Sequence, residues 1–511
     1  MGLLALKRLM SMQRDRRRRQ FQSRDVSVPL LAKSGCSSRH KDEDSEGGKI
    51  MKYSGPDLPE DIWHHIYSLV PMQDAARAAC VSRTFRRRWR CYPNLTFSNL
   101  MVDWNGDTHV KHETAREFAS RVNQVLTNHS GGLKTIRLEF IGHSSSDCCS
   151  LDRWLQVAIT PEIEELSFLL SSALTTYNFP CSLLSGQSGN SIRYLHLAGC
   201  AFRPAVRFCC LRSLTQLHLY HVRIKEDELG CLLSSCPVLE LFAIGNCNEI
   251  TCLKIPHMLD RLRKLHIVSC NALRAIESKS PYLFSFYFVG KRVQLSLGES
   301  LQLEKLVLSH PRALDDARAT LPSIAPNLQT LRVTSCLGAS NPMMHSRFLY
   351  LKFLGIWVHS YTFPGTNDYM SLVSFLDACP SLETFALTTP TEPLEHESII
   401  GDPSHLRRMP GHRHDKLKSM KVLGFNSAKS LIELTVHIIE NAGSLESLSL
   451  DTTYYAVRCS DGISDTCSSI RERTRMEAPR ALLAIQTHIH GKVPSTVKLD
   501  VLEPCSRCHA S

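Results

Sequence analysis

Cys505, Cys508 and His509 form the pattern Cys-x-x-Cys-His, whose residue types bind metals and whose spacing attaches haem in exported proteins. A zinc site would need two further ligands, and no second Cys-x-x-Cys accompanies this pair. Histidines that could approach it in space are His405, His412, His414 and His490. The sequence therefore favours a structural tail here, and we expect no metal and no cofactor.

Catalytic motifs are missing from this sequence. No Gly-x-Ser-x-Gly, P-loop, His-Glu-x-x-His or Gly-x-Gly-x-x-Gly stands between a predicted strand and a predicted helix. With 20 cysteines and 23 histidines, pairings of Cys with His or of Ser with His and Asp stay open. We expect a protein that is not an enzyme and that works by binding.

The composition is that of a globular protein of 511 residues, with 43% hydrophobic residues. No apolar run approaches the roughly 18 residues that would span a bilayer, so we expect no membrane partner. The start, MGLLALKRLM, does not make a convincing secretory signal. We therefore expect reduced, buried cysteines and a location in the nucleus, the cytoplasm or both.

A basic tail covers residues 1–54 and includes Arg14 and Arg16 to Arg19. Its charge and its Ser-, Asp- and Gly-rich continuation indicate disorder. The arginines could serve nuclear import, contact nucleic acid or stay solvated. Import and simple solvation are equally compatible with the sequence, and nucleic acid is the less favoured partner.

An apolar pattern recurs along the chain at positions 1, 4 and 6, with a cysteine or apolar residue at position 9. The clear windows are Ile192/Leu195/Leu197/Cys200, Leu214/Leu217/Leu219/Val222, Leu239/Phe242/Ile244/Cys247, Leu262/Leu265/Ile267/Cys270 and Leu328/Leu331/Val333/Cys336. Between residues 200 and 270 the ninth position advances by 22, 25 and 23 residues. This is the spacing of leucine-rich repeats.

Each repeat predicts a strand, a turn and a helix. Positions 4 and 6 of a strand point the same way, so both enter the core, and position 9 turns inward behind them. Neighbouring repeats must stack to bury their faces. The expected fold is an α/β repeat, an irregular leucine-rich-repeat solenoid or horseshoe over residues 131–455. Residues 99–130 form a linker with a helix, and 456–511 form a loop followed by a capping helix and strand.

Short helices are predicted before the repeats, from Asp57 to Trp89. Asp57 and Glu60 have capping-box spacing, Pro71 ends the first helix, and Asp74 and Ser82 can cap the next two. Three short helices bury too little surface to be stable alone, so their apolar face needs a partner.

This segment resembles an F-box over residues 55–98, with Phe85 where many F-boxes carry tryptophan. The resemblance implies docking on a Skp1-type adaptor and, through it, on a cullin–RING ubiquitin ligase. The residues it assigns to Skp1 binding are Leu58, Pro59, Ile62, Ile66, Leu69, Val81, Phe85 and Trp89. The region from Leu417 onward resembles the C-terminal part of plant, grass-type F-box proteins with FBD-like leucine-rich repeats.

The implied function is that of a substrate-recognition adaptor in an SCF-type (Skp1–cullin–F-box) ubiquitin ligase, with an unknown protein as substrate. We expect the strands to present exposed target-binding side chains between the core positions, at Tyr194, His196, His218 and His266. The alternatives are a repeat scaffold outside any ligase and a nuclear protein associated with nucleic acid through the basic tail. The sequence does not name the target or its degradation signal.

Overall fold

The computed structural model describes residues 59–81, 83–98, 100–101, 111–112, 115–140, 148–170, 177–204, 211–298, 301–336, 347–358, 368–390, 397–401, 405–409, 413–453, 457–461 and 466–509. Two compact units divide the chain, residues 1–66 and 67–511. The basic cluster from Arg14 to Arg19, Asp57, Leu58 and Ser82 lie outside the described residues. No helix within the described ranges is both long and apolar enough to cross a membrane.

The described residues of the first unit form the start of the first helix. There the amide of Trp63 donates to the carbonyl of Pro59 at 3.1 Å. The helices of the described chain are α1 Glu60–Leu69, α2 Met72–Val81, α3 Arg83–Trp89, α4 Ala115–Asn128, α5 Cys148–Ala158, α6 Gln187–Ser191, α7 Glu226–Ser234, α8 Ala313–Ile324, α9 Val373–Asp377, α10 Lys429–Asn441 and α11 Glu472–Ala484.

A parallel sheet of fifteen strands organises the described part of the second unit, and β2 Leu100–Met101 and β3 Lys111–His112 form a separate antiparallel pair. In spatial order its strands are β1 Asn94–Ser98, β4 Thr135–Phe140, β5 Glu165–Leu170, β6 Tyr194–Ala198, β7 Gln216–Tyr220, β8 Leu241–Gly245, β10 Lys264–Val268, β12 Ser285–Val289, β14 Lys305–Ser309, β15 Thr330–Ser335, β16 Phe353–Val358, β17 Thr384–Thr388, β18 Ser419–Leu423, β19 Ser447–Asp451 and β20 Lys498–Leu502. The spatial order follows the chain order, as in a solenoid whose repeats stack in sequence.

The leucine-rich-repeat solenoid predicted from the sequence is confirmed. In the first clear window, Ile192, Leu195, Leu197 and Cys200 are all fully buried, so positions 1, 4, 6 and 9 line the core. Position 4 aligns with position 4 across neighbouring strands, as with Leu195 beside Leu217. Side chains two residues apart on a strand share a face, so this register makes two continuous apolar rows.

The other side of the repeats is built in two ways. Helices α7, α8, α9 and α10 each connect two strands of the long sheet. Between β8 and β14, where the repeats are shortest, a second parallel sheet replaces the helices, made of β9 Cys252–Ile255, β11 Ala275–Ser278 and β13 Gln294–Ser296. We predicted helices throughout, but repeats of this length leave room only for a short strand.

The helix before the last described strand begins earlier than the sequence predicts. The sequence indicated a loop over 454–478 and a helix from Ala478 to His490, but α11 begins at Glu472. Its first turns are polar and face solvent, and Glu472 there pairs with Arg475 at 3.0 Å. Because of this polar composition, we predicted a loop from the sequence. Ala478, Ala481 and Ala484 are buried at helical spacing and hold the helix in place.

Candidate binding surfaces

Helix α2 begins three residues earlier than predicted. The carbonyl of Pro71 accepts the amides of Asp74 and Ala75, each at 3.0 Å, so the helix starts at Met72. Asp74, which we expected to cap this helix, lies within its first turn and pairs with Arg77 at 3.1 Å. Ala75 and Ala79 are buried, which gives α2 one inward face.

Hydrogen bonds hold the segment 67–72 against the first repeat strand. Tyr92 Oη donates to the carbonyl of Val70 at 2.8 Å, and Asn94 Nδ2 donates to the carbonyl of Ser68 at 3.4 Å. The amide of Thr96 in β1 donates to the sulphur of Met72 at 3.2 Å. The segment 67–72 is therefore anchored to the first strand of the solenoid.

The side chains assigned to Skp1 binding differ in exposure. The exposed fraction is 43% for Ile62, 69% for Leu69 and 81% for Val81, and Pro59 is also exposed. Ile66, Phe85 and Trp89 are half-buried, and the ring of Trp89 stacks on Tyr92 with centroids 5.4 Å apart. Leu69 and Val81 are thus available for contact, whereas Trp89 already packs within the second unit.

Three of the predicted target-binding side chains, His196, His218 and His266, lie on one row of the long sheet, and Tyr194 lies on the same face two residues before His196. His196 in β6 aligns with His218 in β7, and His266 in β10 aligns with Tyr287 in β12. Ala243 stands in the same row between His218 and His266. Because all these positions fall between the two core rows, their side chains share the face that turns away from the core.

Aromatic rings cover this row. The centroids of Tyr194 and His218 are 5.2 Å apart, those of His196 and His218 are 5.4 Å apart, and those of His196 and Tyr220 are 5.6 Å apart. Further along the sheet, His266 and Tyr287 approach to 5.6 Å. Rings at these distances and tilts are in favourable aromatic contact.

Our expectation of exposed recognition residues is wrong for these four positions. Tyr194, His196 and His266 are half-buried, and His218 is buried, with 7% of its surface exposed. The reason is the rings of Tyr194 and His196 on the preceding strand, which cover His218. The row therefore presents a packed aromatic surface, with ring edges open to a partner.

Burial keeps the histidines of this row neutral. Loss of solvent, together with the neighbouring His218 and Arg137, lowers the pKa of His196 to about 3. Loss of solvent and the nearby His266 lower the pKa of His218 to about 4. The same loss, with Lys264 beside it, lowers the pKa of His266. At neutral pH the row is thus uncharged and suited to apolar or hydrogen-bonding contact.

Basic side chains border the aromatic row further along the face. Lys264 and Lys305 are exposed, and Arg332 lies over the ring of Phe353 with its guanidinium carbon 4.6 Å from the centroid. Lys305 lies 5.1 Å from the ring centroid of Phe284. Cationic side chains therefore join the outward face from β10 onward, at Lys264, Lys305 and Arg332.

The structure brings together four cysteines that we did not group from the sequence. The sulphurs of Cys459, Cys467, Cys505 and Cys508 all lie within 4.8 Å of one another. The sequence predicted only the pair 505 and 508, and the histidines proposed as partners do not join it in the described chain. His405 and His490 are exposed elsewhere, His414 faces Asp377 at 3.6 Å, and His412 lies outside the described residues.

Cys459 and Cys467 were missed because they fall in the segment read as a loop, with seven residues between them. That spacing matches no common short motif, so only the return of the chain beside β20 reveals it. The only sequence signal for the four-cysteine cluster was a second, more widely spaced cysteine pair upstream of the Cys-x-x-Cys.

Comparison with known proteins identifies two domains in the chain. The F-box domain model matches residues 56–95, and the model described as "At1g61320/AtMIF1, LRR domain" matches residues 125–506. The second match covers well over half of the chain.

Curated relatives come from Arabidopsis thaliana. F-box/LRR-repeat protein At3g26922 is 28% identical over 38% of this chain and 60% of its own length. FBD-associated F-box protein At5g56370 is 28% identical over 36% of this chain and 41% of its own. F-box/FBD/LRR-repeat protein At3g52680 is 28% identical over 39% of this chain and 42% of its own. The chain thus spans less than two thirds of each.

Among solved structures, an internalin from Listeria monocytogenes aligns over 65% of this chain and 82% of its own, with 11% identity and a TM-score of 0.25. That likeness is too weak to add to the family match. The two family models cover the helical segment and the solenoid in turn, and two of the three curated relatives, At3g26922 and At3g52680, have both parts in their names. The chain is therefore a plant F-box protein that belongs to the At1g61320/AtMIF1-type leucine-rich-repeat family and has FBD-like features.

Proposed function

We propose that this protein is the substrate-recognition adaptor of an SCF-type ubiquitin ligase, docking a Skp1-type protein through its F-box and a target protein through its repeats. F-box proteins with leucine-rich repeats generally serve as such adaptors and are typically not catalytic. The observation that carries the proposal is the F-box match over residues 56–95, on helices that expose Leu69 and Val81.

Docking would be driven by burial of apolar side chains. Full burial of a leucine or valine side chain contributes about 1.5–3 kcal/mol. Leu69 and Val81 are large, apolar and open to solvent, which is the condition under which a partner gains most from covering them. Phe85 and Trp89 are half-buried, so each would offer the partner only part of its ring.

Target recognition would use the outward row of the long sheet. Tyr194, His196 and His266 offer ring surface whose conformations are already restricted by packing, so binding costs little side-chain entropy. The cationic stretch at Lys264, Lys305 and Arg332 would favour a target with an aromatic or apolar segment followed by acidic residues.

The reaction itself would belong to the ligase partners. An adaptor accelerates it by holding a target lysine beside the charged ubiquitin-conjugating enzyme, which raises the effective concentration of the two reactants. No residue of this chain needs to act as acid, base or nucleophile in such a mechanism.

Capture of a plant Skp1-type protein by the full chain tests the proposal. We expect a Leu69→Asp, Val81→Asp variant to lose capture, because a charge buried at an apolar contact costs on the order of 3 kcal/mol. Leu301→Asp is the matched control, since Leu301 is 58% exposed and lies in the repeats. Equal capture by all three chains, or none by the intact folded chain, would refute Skp1 docking through these residues.

A repeat scaffold outside any ligase is the first alternative. Binding partners of the solenoid should then keep the same abundance when the proteasome is inhibited, whereas ligase targets should accumulate. A nucleic-acid role for the basic tail would show as salt-sensitive binding that disappears when residues 1–52 are removed. Nothing among the described residues favours either alternative over the adaptor.

A further inference from the structure

Two separate segments meet beside the last described strand. Cys459 opens the short 3-10 turn Cys459–Asp461 after β19, and Cys467 follows a few residues later. Cys505 and Cys508 come after β20, which pairs in parallel with β19. The four sulphurs converge to within 4.8 Å although they come from parts of the chain about 40 residues apart.

The convergence is held by contacts that do not involve sulphur. Arg458 donates to Asp451 Oδ1 at 2.9 Å and to the carbonyl of Glu503 at 3.1 Å, which ties the turn to both segments. The amide of Ser468 donates to the carbonyl of Val457 at 2.9 Å and closes the loop between the first two cysteines. The cysteines are therefore brought together by the backbone around them.

The sulphur positions suit a shared metal ion. Cys459 Sγ and Cys505 Sγ are 3.6 Å apart, well beyond the bonding distance of about 2.05 Å in a disulfide. Four sulphurs around zinc at about 2.3 Å form a tetrahedron with edges of about 3.8 Å. The observed separation thus matches the edge of a tetrahedral site.

Backbone amides point at the sulphurs, as they do around thiolate ligands. The amide of Cys459 lies 3.3 Å from Cys467 Sγ, and the amide of Cys467 lies 3.5 Å from Cys508 Sγ. The amides of Cys508 and Arg507 donate toward Cys505. Amide donors stabilise negative sulphur, and outer hydrogen bonds of this kind orient metal ligands.

We propose that Cys459, Cys467, Cys505 and Cys508 form a structural zinc site that clasps the segment after β20 to the turn after β19. A full set of four thiolates leaves no open position for a substrate, so the site would be structural and not catalytic. Soft thiolate ligands in a tetrahedral set select zinc or iron over magnesium or calcium. The site is independent of the adaptor function proposed above.

The clasp would act where packing is weakest. Cys467 is buried, but the other three cysteines are only half-buried, and no strand pairs with the outer edge of β20 among the described residues. A metal crosslink in place of an apolar core is the usual solution for such small peripheral elements. It would cap the open end of the described solenoid.

Metal content of the full chain, purified with zinc in the medium and dialysed against chelator-free buffer, tests the proposal. We expect about one zinc per chain by elemental mass spectrometry, as for a closed structural site. Substituting Co²⁺ should give the visible absorption of tetrahedral thiolate coordination. A zinc content near zero in the folded chain, or a disulfide between Cys459 and Cys505 found by peptide mapping, would overturn the proposal. Iron in place of zinc would overturn the choice of metal.

Variants assign the metal to these cysteines. Cys505→Ser with Cys508→Ser should lower the zinc content at least about tenfold, because two of four ligands are lost. Cys231→Ser with Cys252→Ser, two half-buried cysteines elsewhere, should leave it unchanged. Cys508→His keeps a zinc ligand and should retain the metal even if the serine variant misfolds. Full zinc retention by the serine variant would place the metal elsewhere and refute the site.

Discussion

Glu433 is a buried carboxylate on helix α10 whose charge is balanced by one arginine. Arg407 donates through its backbone amide to Glu433 Oε1 at 2.8 Å and through Nε to Oε2 at 2.7 Å. The same guanidinium holds Asp368 with two bonds of 2.9 Å, and these carboxylates raise the pKa of Arg407. The side chain of Arg407 thus attaches the segment 405–409 to the core.

Arg407→Ala should destabilise the protein by about 3–5 kcal/mol, because it leaves the charge of Glu433 buried without its partner. Chemical unfolding followed by circular dichroism measures the change. Arg413→Ala is the matched control, since Arg413 pairs with Asp415 in full exposure and should cost under about 1 kcal/mol. Equal losses of unfolding free energy in the two variants would show that the buried Glu433 pair stabilises the protein no more than an exposed pair does.

The histidines of the aromatic row give stability a definite pH dependence. The pKa values of His196 and His218, about 3 and about 4, lie below the value of about 6.5 for the unfolded chain. As pH falls below 6.5 the unfolded chain therefore binds protons first, and stability falls. Each histidine contributes at most about 1.4 kcal/mol per pH unit.

We predict that His196→Phe with His218→Phe flattens the loss of stability between pH 6.5 and pH 4.5, since phenylalanine keeps the ring contacts but does not titrate. Thermal unfolding at a series of pH values gives the slope. His257→Phe, at an exposed position, should leave the slope as it is. An unchanged slope in the double variant would mean that these histidines already titrate freely in the fold.

Single residues of the repeats were predictable where local spacing decides their environment. Cys200 and Cys247 stand at position 9, and both are fully buried, as the repeat pattern predicts. Burial raises the pKa of the next such thiol, Cys270, to about 11, so it stays protonated. His218 was mispredicted because its burial depends on Tyr194 and His196 in the adjoining strand, which repeat spacing does not report.

At the scale of elements, helix α7 is stabilised mainly by packing and little by helix propensity. Leu229, Leu232 and Leu233 are buried and fix its inner face, and the carboxylate of Glu228 accepts the amide of Lys225 at 2.7 Å. Gly230 lies inside this helix with open space where a Cβ would be. Glycine there costs stability without serving the packing.

Gly230→Ala should therefore stabilise the protein by about 0.5–1 kcal/mol, because alanine restricts the unfolded chain and fits the helix. The contrasting change is Gly424→Ala, where φ is +77° and a Cβ would fall 2.6 Å from Thr389 Oγ1. That variant should lose stability. The two melting temperatures should move in opposite directions, and a shift of the same sign in both would contradict the helix argument.

Elements were predictable in kind but not always in extent. The strands followed from the alternation of apolar residues, whereas α2 began early because the carbonyl of Pro71 supplies its first acceptor. The three-stranded sheet of β9, β11 and β13 replaces predicted helices because repeat length, more than residue type, decides what fits behind the strand. The polar start of α11 read as loop because its anchoring alanines come later in the chain.

At the scale of the whole molecule, the sequence predicted the order of its parts but not the junctions between distant segments. Local patterns identify an F-box and a solenoid, since each follows from residues close in sequence. The cysteine cluster required Cys459 and Cys505 to meet across α11 and β20, which no spacing rule reports. Features made by long-range closure are thus the ones that sequence reasoning misses.

Assembly of the purified full chain with a plant Skp1-type protein and the Skp1-binding part of a cullin tests the adaptor account most directly. Size-exclusion chromatography with light scattering measures the mass of the complex. The account predicts a complex with one copy of each protein that forms with the wild-type chain and with Leu301→Asp, but not with Leu69→Asp, Val81→Asp. A folded wild-type chain that elutes alone in the presence of both partners would contradict it.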